Sequence, residues 1–464
     1  MSTPVLFILL PFLLSVFLFF MQKRTRLVTT VGIVTCIVLM LFAFFQTFGA
    51  VWKIGPISIE IKTDLAVMGR SFSLTNQDKF FLAFLYFASA LWFAGAKSAG
   101  VTTRFIPFGM AVVSILTAAL AVEPFLYSAI LVEIAVLASV PLLVEPGQPV
   151  GNGVLRFLVY QSLAMPFILF GGWLLGGIQA SPSDTARLMQ AVIFLGVGFA
   201  LWLAVVPFQS WVPKLSFDLH PYISGFLLGL FPIVTMLIMV DFISGLVWLR
   251  ESVYLQPSIG LVGAIMVVST SVWAIIEKDL SRLFGYTVLL ETGLALLLVS
   301  LQSDAGVSIL YLSFIPRMFA LSLMALSLTI IKSSGISLDI DNLAGIMRKF
   351  PFASLALVIS MLSVAGCPLL GGFSIRLSLL ELLAESSPGI TVWVLIGMGA
   401  YLFSAMRLFL KISKPFEGGW ERGESNNQVF FIVTGVVVLL VFGLFPNLFA
   451  EILKPLFVNL PILR

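Results

Sequence analysis

Four ionisable residues, Glu133, Glu291, Arg317 and Arg376, stand in the middle of long apolar runs of this chain. Acids and bases at such positions do one of two things: they pass protons or ions along a path, or they neutralise one another and fix packing. A charge at the centre of a bilayer costs roughly 2.5–3.5 kcal/mol on insertion scales, so each needs a partner or a wet cavity. Two acids and two bases can compensate each other. Each also has a plain structural reading. Glu133, in "ILVEIAVLASV", has the structural reading of an acid hydrogen-bonded to a neighbouring helix, or carried uncharged. Arg317 follows Pro316 in "YLSFIPRMFAL" and reads equally as one arm of an interhelical ion pair. Asp241 and Arg407 fall near the ends of apolar runs, where snorkelling to the interface is the cheaper explanation, and they stay outside the candidate site.

Other chemistries find no residues to carry them. The single histidine, His220, suits a surface or helix-capping role better than a ligand's. Cys36 and Cys367 have no CxxC or Cys/His partner, so no disulfide framework, zinc site or iron–sulfur cluster follows. "GGWLLGG" is small-residue helix packing and not a phosphate loop, because no strand precedes it. No nucleotide, flavin, metal or nucleic-acid site is expected, and no cofactor is assigned to this chain.

The elements that must hold these charges are membrane helices. The sequence is 60% hydrophobic and 10% charged, with a mean hydropathy of +1.11. Only helices or closed barrels satisfy their backbones in a bilayer, and long unbroken apolar runs select helices. The runs number roughly fourteen at about 20 residues per crossing, with cores beginning near Pro4, Val28, Phe80, Phe105, Phe125, Val154, Leu188, Tyr222, Gly260, Leu283, Gly306, Phe352, Ile390 and Val429. The first, Pro4 to Met21, carries its positive charges after the apolar stretch, the reverse of a secretory leader, and reads as a retained helix. Between Val51 and Lys79, "KIGPISIEIKTDL" alternates around a Gly-Pro pair and predicts a small surface hairpin. About sixteen lysines and arginines fall in odd-numbered connections against about six in even ones, which by the positive-inside rule places both termini outside the cytoplasm.

Helix breakers recur with a period. "VVPFQSWVPK" brings Pro207 and Pro213 into the seventh run, and "GCPLLGGF" brings Pro368, Gly371 and Gly372 into the twelfth. Glu133 in the fifth and Glu291 in the tenth are offset by the same five runs. Five is odd, so the two units would cross the membrane in opposite directions, as inverted repeats whose broken helices face one another do. Backbone freed by such a break must be buried in protein or line a cavity. Residues 105–248 and 257–412 are then the two units, 1–104 the leading helices with the hairpin, and 413–464 the last helix.

From about Phe125 to Lys411 the chain resembles the antiporter-like membrane subunits of respiratory complex I, a family shared with Mrp cation/proton antiporters and membrane-bound hydrogenases, and is nearest the type called subunit N or 2. The resemblance rests on motifs in order: "LVEIAVLASVPLL", "GVGFALWLAVVPFQSWVPK", "EKDLSRLFGYTVLLETG" and "DIDNLAGIMRKFPFASLALVISMLSVAGCPLLGGFSIR". It implies an all-α polytopic fold of about fourteen helices with the seventh and twelfth broken. It also implies a buried glutamate that modulates a lysine on the seventh helix, further lysines or histidines relaying protons at mid-membrane, and redox chemistry on other subunits.

This chain departs from the pattern at the relay. Trp202 occupies the seventh-helix lysine position, Ile233 the eighth-helix one, Glu291 the tenth-helix position and Arg376 the twelfth-helix lysine position. The expectation is an antiporter-like membrane-arm subunit of a proton-translocating NADH:quinone oxidoreductase or related respiratory complex, with a degenerate proton path. The alternatives are a non-conducting scaffold subunit of such a complex and an Mrp-type antiporter subunit. Partners would be other membrane-arm subunits and the bilayer, in the plasma membrane of a prokaryote, with no nucleic acid.

Overall fold

The computed structural model describes residues 2–457 except 55–56, 61, 68, 145–146, 148, 181–184, 251, 253 and 415–421. The chain opens on a π-helical turn, Val5–Leu9, that runs into α1 (Leu10–Phe20), followed by α2 (Thr25–Phe45). Strands β1 (Val51–Ile54), β2 (Ile57–Glu60), β3 (Asp64–Val67) and β4 (Arg70–Ser73) come next, then α3 (Lys79–Gly95) and α4 (Thr102–Ala121). A two-residue strand β5 (Val122–Glu123) leads into α5 (Ser128–Leu143), α6 (Asn152–Ala180), α7 (Thr185–Trp202) and the short α8 (Trp211–Asp218). Then follow α9 (Pro221–Gly245), the one-turn α10 (Val247–Arg250), α11 (Leu255–Ile276), α12 (Leu280–Ser300) and α13 (Asp304–Ser333). The last part holds α14 (Pro351–Ala365), α15 (Phe373–Ser386), α16 (Pro388–Ile412), α17 (Asn426–Leu444) and α18 (Pro446–Phe457).

Among the described residues, eleven helices are long and apolar enough to cross a membrane, and Val5–Phe20, Ala186–Trp202 and Pro351–Ala365 are shorter apolar ones. Two of those shorter helices stop where the sequence places its breakers. The chain is a polytopic, mostly helical membrane protein. Its surface shows what solvates it: Phe20 is 76% exposed and Phe45 72%, which water would penalise and lipid tails do not. Of the most apolar windows, 94% of residues are buried in α9 and α12 and 89% in α13, against 28% in α2 and 22% in α17. The central helices are therefore shielded from lipid, and Glu291 and Arg317 lie on two of them.

Local signals set the ends. Asp279 accepts from the Arg282 N–H as the N-cap of α12, and Ser303 accepts from the Gly306 N–H at the start of α13. His220 caps α9 through Nδ1, which accepts from the Tyr222 N–H at 3.3 Å, with Pro221 at the first helical position. Burial, with the Lys332 ammonium adding to it, pushes the His220 imidazole down to about 4, so it is a neutral acceptor at pH 7.

The surface hairpin expected from the sequence has become two. β1 pairs antiparallel with β2, and β3 with β4, whose far side receives β5 from the α4–α5 connection. The Gly-Pro pair of the first turn lies outside the described residues. The second turn contains Gly69 at φ +74°, a left-handed position that glycine adopts without strain. Arg70 then lies 3.9 Å over the Tyr127 ring, tying this hairpin to the entry of α5.

Candidate functional site

Two helices break, and each break frees backbone groups that a side chain must meet. In the first, α7 ends at Trp202 and the chain runs through Ala204 at φ +53° and the cis Val206–Pro207 peptide before α8 begins. Pro213 stands in the first turn of α8, where its missing N–H has no helical partner to lose. The Trp202 carbonyl accepts from Gln161 Nε2 of α6 at 3.4 Å. The Trp202 ring packs against Phe199, 5.8 Å away at 73°. Trp202 is 2% exposed and Ile233, on α9, is wholly buried, so two apolar side chains fill these positions. Glu133 on α5 meets a serine: its Oε1 accepts from Ser162 Oγ at 2.6 Å, while Oε2 is buried with no partner among the described residues.

The second break is charged. α14 ends on Gly366 in the left-handed conformation, followed by Pro368 and by Leu369 at φ +71°, and α15 starts after Gly371 and Gly372. The Gly372 N–H donates to Ser363 Oγ at 3.3 Å across the gap. One turn into α15, Arg376 turns back towards the break. Its Nη2 forms a buried ion pair with Glu291 Oε1 of α12, and its Nε donates to the freed Val364 carbonyl at 3.4 Å. The C-terminal carbonyls of a helix carry partial negative charge, so the guanidinium is held by a carboxylate and a helix end together.

Arg317 completes the cluster. It follows Pro316 in α13, its Nη2 donates to Thr292 Oγ1 at 3.3 Å, and its Nε is buried with no partner among the described residues. Glu291, Arg317 and Arg376 are 3%, 3% and 4% exposed. They share a cavity of about 10 Å³ with Ser313, Ser363 and Gly372, room for a single water. Two guanidiniums thus face one carboxylate. The cluster accounts for three of the four charges singled out by the sequence, and the fourth, Glu133, stands apart from it on α5.

Sequence reasoning did not reach several of these partners. Thr292 is adjacent to Glu291 in "LLETG", and Thr287, one turn earlier, hydrogen-bonds the Tyr401 hydroxyl at 2.6 Å, so α12 presents a polar stripe at helical spacing that was open to detection. Gln161 and Ser162 carried no such signal. Arg407, read as snorkelling, instead donates both Nη atoms to the Ile275 and Glu277 carbonyls at the end of α11, because that end lies within its reach. Among the described residues, no group of three histidine, cysteine or acidic side chains is placed to hold a metal ion.

The sequence pattern described as NADH:quinone oxidoreductase/Mrp antiporter, transmembrane, matches residues 169–404, half of the chain and both breaks. The chain belongs to the NADH:quinone oxidoreductase/Mrp antiporter family. It is 23% identical over 317 residues to NADH-quinone oxidoreductase subunit N of Pelagibacter ubique, covering 65% of this chain and 66% of that one. To subunit N 2 of Acidobacterium capsulatum it is 23% identical, covering 56% of each. The chain thus spans between about half and two thirds of the curated relatives it matches. Its fold is shared with solved structures of membrane complexes. A chain of the Mrp complex from Dietzia sp. superposes with a TM-score of 0.83 at 17% identity, covering 99% of this chain and 97% of that one. A chain of respiratory complex I from Thermus thermophilus superposes at 0.74 with 22% identity, covering 99% of each. Members of this antiporter-like family therefore share the architecture that carries the cluster.

Proposed function

We propose that this chain is a membrane-arm subunit of a proton-translocating NADH:quinone oxidoreductase or related respiratory complex, with a degenerate proton path. The observation that carries this reading is the Glu291–Arg376 ion pair at the second break, with Arg317 beside it. A relay needs groups that release and regain protons near neutrality. Lysine does so when burial lowers its proton affinity, whereas a guanidinium keeps its proton. Arginine where the resemblance expects lysine makes the second half a fixed charge, and Trp202 and Ile233 leave the first half with Glu133 alone. Any residual path runs through Glu291 and water in the second half.

In this account the chain crosses the membrane fourteen times. Residues 105–248 and 257–412 form two inverted five-helix units, preceded by 1–104 and followed by 413–464. The support is that each broken helix is the fourth of its unit and that half-buried Glu133 and buried Glu291 each lie on the second. Both termini lie outside the cytoplasm of a prokaryotic plasma membrane, which puts the β1–β4 segment outside. A cysteine in place of Asp64, with Cys36 and Cys367 replaced by serine, should react with an impermeant thiol reagent on whole cells and stay unreacted in inverted vesicles. Reaction only in inverted vesicles would reverse the topology.

No cofactor is placed on this chain, and its partners are taken to be other membrane subunits. Mild detergent extraction through a tag, followed by mass spectrometry, tests the assignment. Iron–sulfur and quinone-site subunits should accompany the chain. Small antiporter subunits without redox centres would favour the Mrp-type alternative, and a redox complex with full proton yield in the absence of this chain would favour the scaffold one.

A further inference from the structure

Two apolar ridges on the lipid-facing side of the molecule end together at a cluster of positive charge. On α11 the ridge includes Trp273 and Ile276, and on α16 it includes Phe403, Met406 and Leu410, all between 45% and 64% exposed. The two helices pack closely, since a Cβ on Gly397 of α16 would stand 2.7 Å from Val267 of α11. Where the ridges stop, a cleft of about 330 Å³ opens, lined by Lys278, Arg407, Lys411 and Lys414 with Glu277 and Asp341.

The two carboxylates of this cleft are already engaged. Glu277 Oε1 accepts from the backbone N–H groups of Lys278 and Asp279 at 2.9 and 3.2 Å. Asp341 accepts from Lys411 Nζ at 2.7 Å, and that ammonium holds its carboxyl below the usual range. Arg407 is committed to the end of α11. Lys278 and Lys414 are exposed and have no carboxylate partner among the described residues. The cleft is a net cationic recess at the level where apolar helix surface gives way to charged connections. Basic pockets between helices at that level match an anionic headgroup, with each lysine or arginine contributing about fivefold in affinity.

We propose that this cleft binds the headgroup of an anionic phospholipid, whose acyl chains lie along the Trp273/Ile276 and Met406/Leu410 ridges. A free phosphate would use the cations alone; the ridges leading into the recess are what a lipid adds.

The test is native mass spectrometry of the full-length chain in detergent, offered phosphatidylglycerol or phosphatidylcholine at equal concentration. The wild-type chain should retain phosphatidylglycerol at least tenfold better. Lys278→Gln and Lys414→Gln should each lower retention about fivefold, with unchanged melting in phosphatidylcholine, and Lys414→Arg should restore it. Equal retention of the two lipids, or glutamine variants that retain phosphatidylglycerol like wild type, would overturn the proposal. Complete displacement by an equal concentration of inorganic phosphate would show an anion site without acyl recognition, and would overturn it too.

Discussion

Glu291→Gln is expected to be the most damaging charge change in the chain, lowering its stability by about 3–5 kcal/mol. Removing this carboxylate leaves Arg317 and Arg376 as two buried guanidiniums around a cavity with room for one water. Arg376→Ala should cost less, because Arg317 remains on the same cavity to compensate Glu291. Arg376→Lys should cost least, about 1–2 kcal/mol, since the charge stays and only the Val364 carbonyl bond and the planar fork are lost. The double variant Glu291→Gln/Arg376→Gln should recover part of the loss, because one buried guanidinium, Arg317, is then left without a carboxylate where Glu291→Gln leaves two. Thermal unfolding of the purified chain in one detergent ranks the four. Equal melting of Glu291→Gln and Arg376→Lys would show that the three groups are not electrostatically coupled.

Gly372→Ala should be of comparable severity for a different reason. A Cβ at Gly372 would lie 1.9 Å from the Ser363 carbonyl oxygen and 3.0 Å from its carbon, so no rotamer relieves the clash. The ends of α14 and α15 would have to separate. The Arg376 N–H donates to the Gly372 carbonyl at 3.0 Å, so that movement would also draw Arg376 away from Glu291. Overpacked interiors typically lose about 1–3 kcal/mol, and a backbone-on-backbone clash belongs at or above the top of that range. Gly389→Ala, where a Cβ meets nothing within 4 Å, is the control and should melt like wild type. If both alanine variants melt together, the approach at the second break is looser than described.

Much of this architecture is legible in the amino-acid sequence because membranes enforce simple rules. Charges at depth must find partners, which is why Glu291, Arg317 and Arg376 could be singled out and are found around one cavity. Pro207 and Pro368 marked the breaks because neither supplies the N–H a continuing helix needs. The pairing itself was not legible: that Arg376 meets Glu291 while Glu133 meets Ser162 depends on how helices far apart in sequence cross. Gln161 at the Trp202 carbonyl is of the same kind, a polar side chain whose purpose appears only once the break is folded beside it. The second hairpin was hidden because the run around β3 is short and half polar, and its pairing with β5 brings together segments about fifty residues apart in the chain.

The degenerate path is tested most directly by counting protons moved per electron pair in proteoliposomes of the complex isolated through this chain, with wild type beside Glu133→Gln. Glutamine keeps the hydrogen bond from Ser162 but cannot exchange a proton, so the substitution isolates relay from packing. An unchanged proton yield with intact assembly is expected. A yield lowered by about one proton per pair in an equally assembled complex would contradict the account, because Glu133 would then lie on a conducting path through the first half.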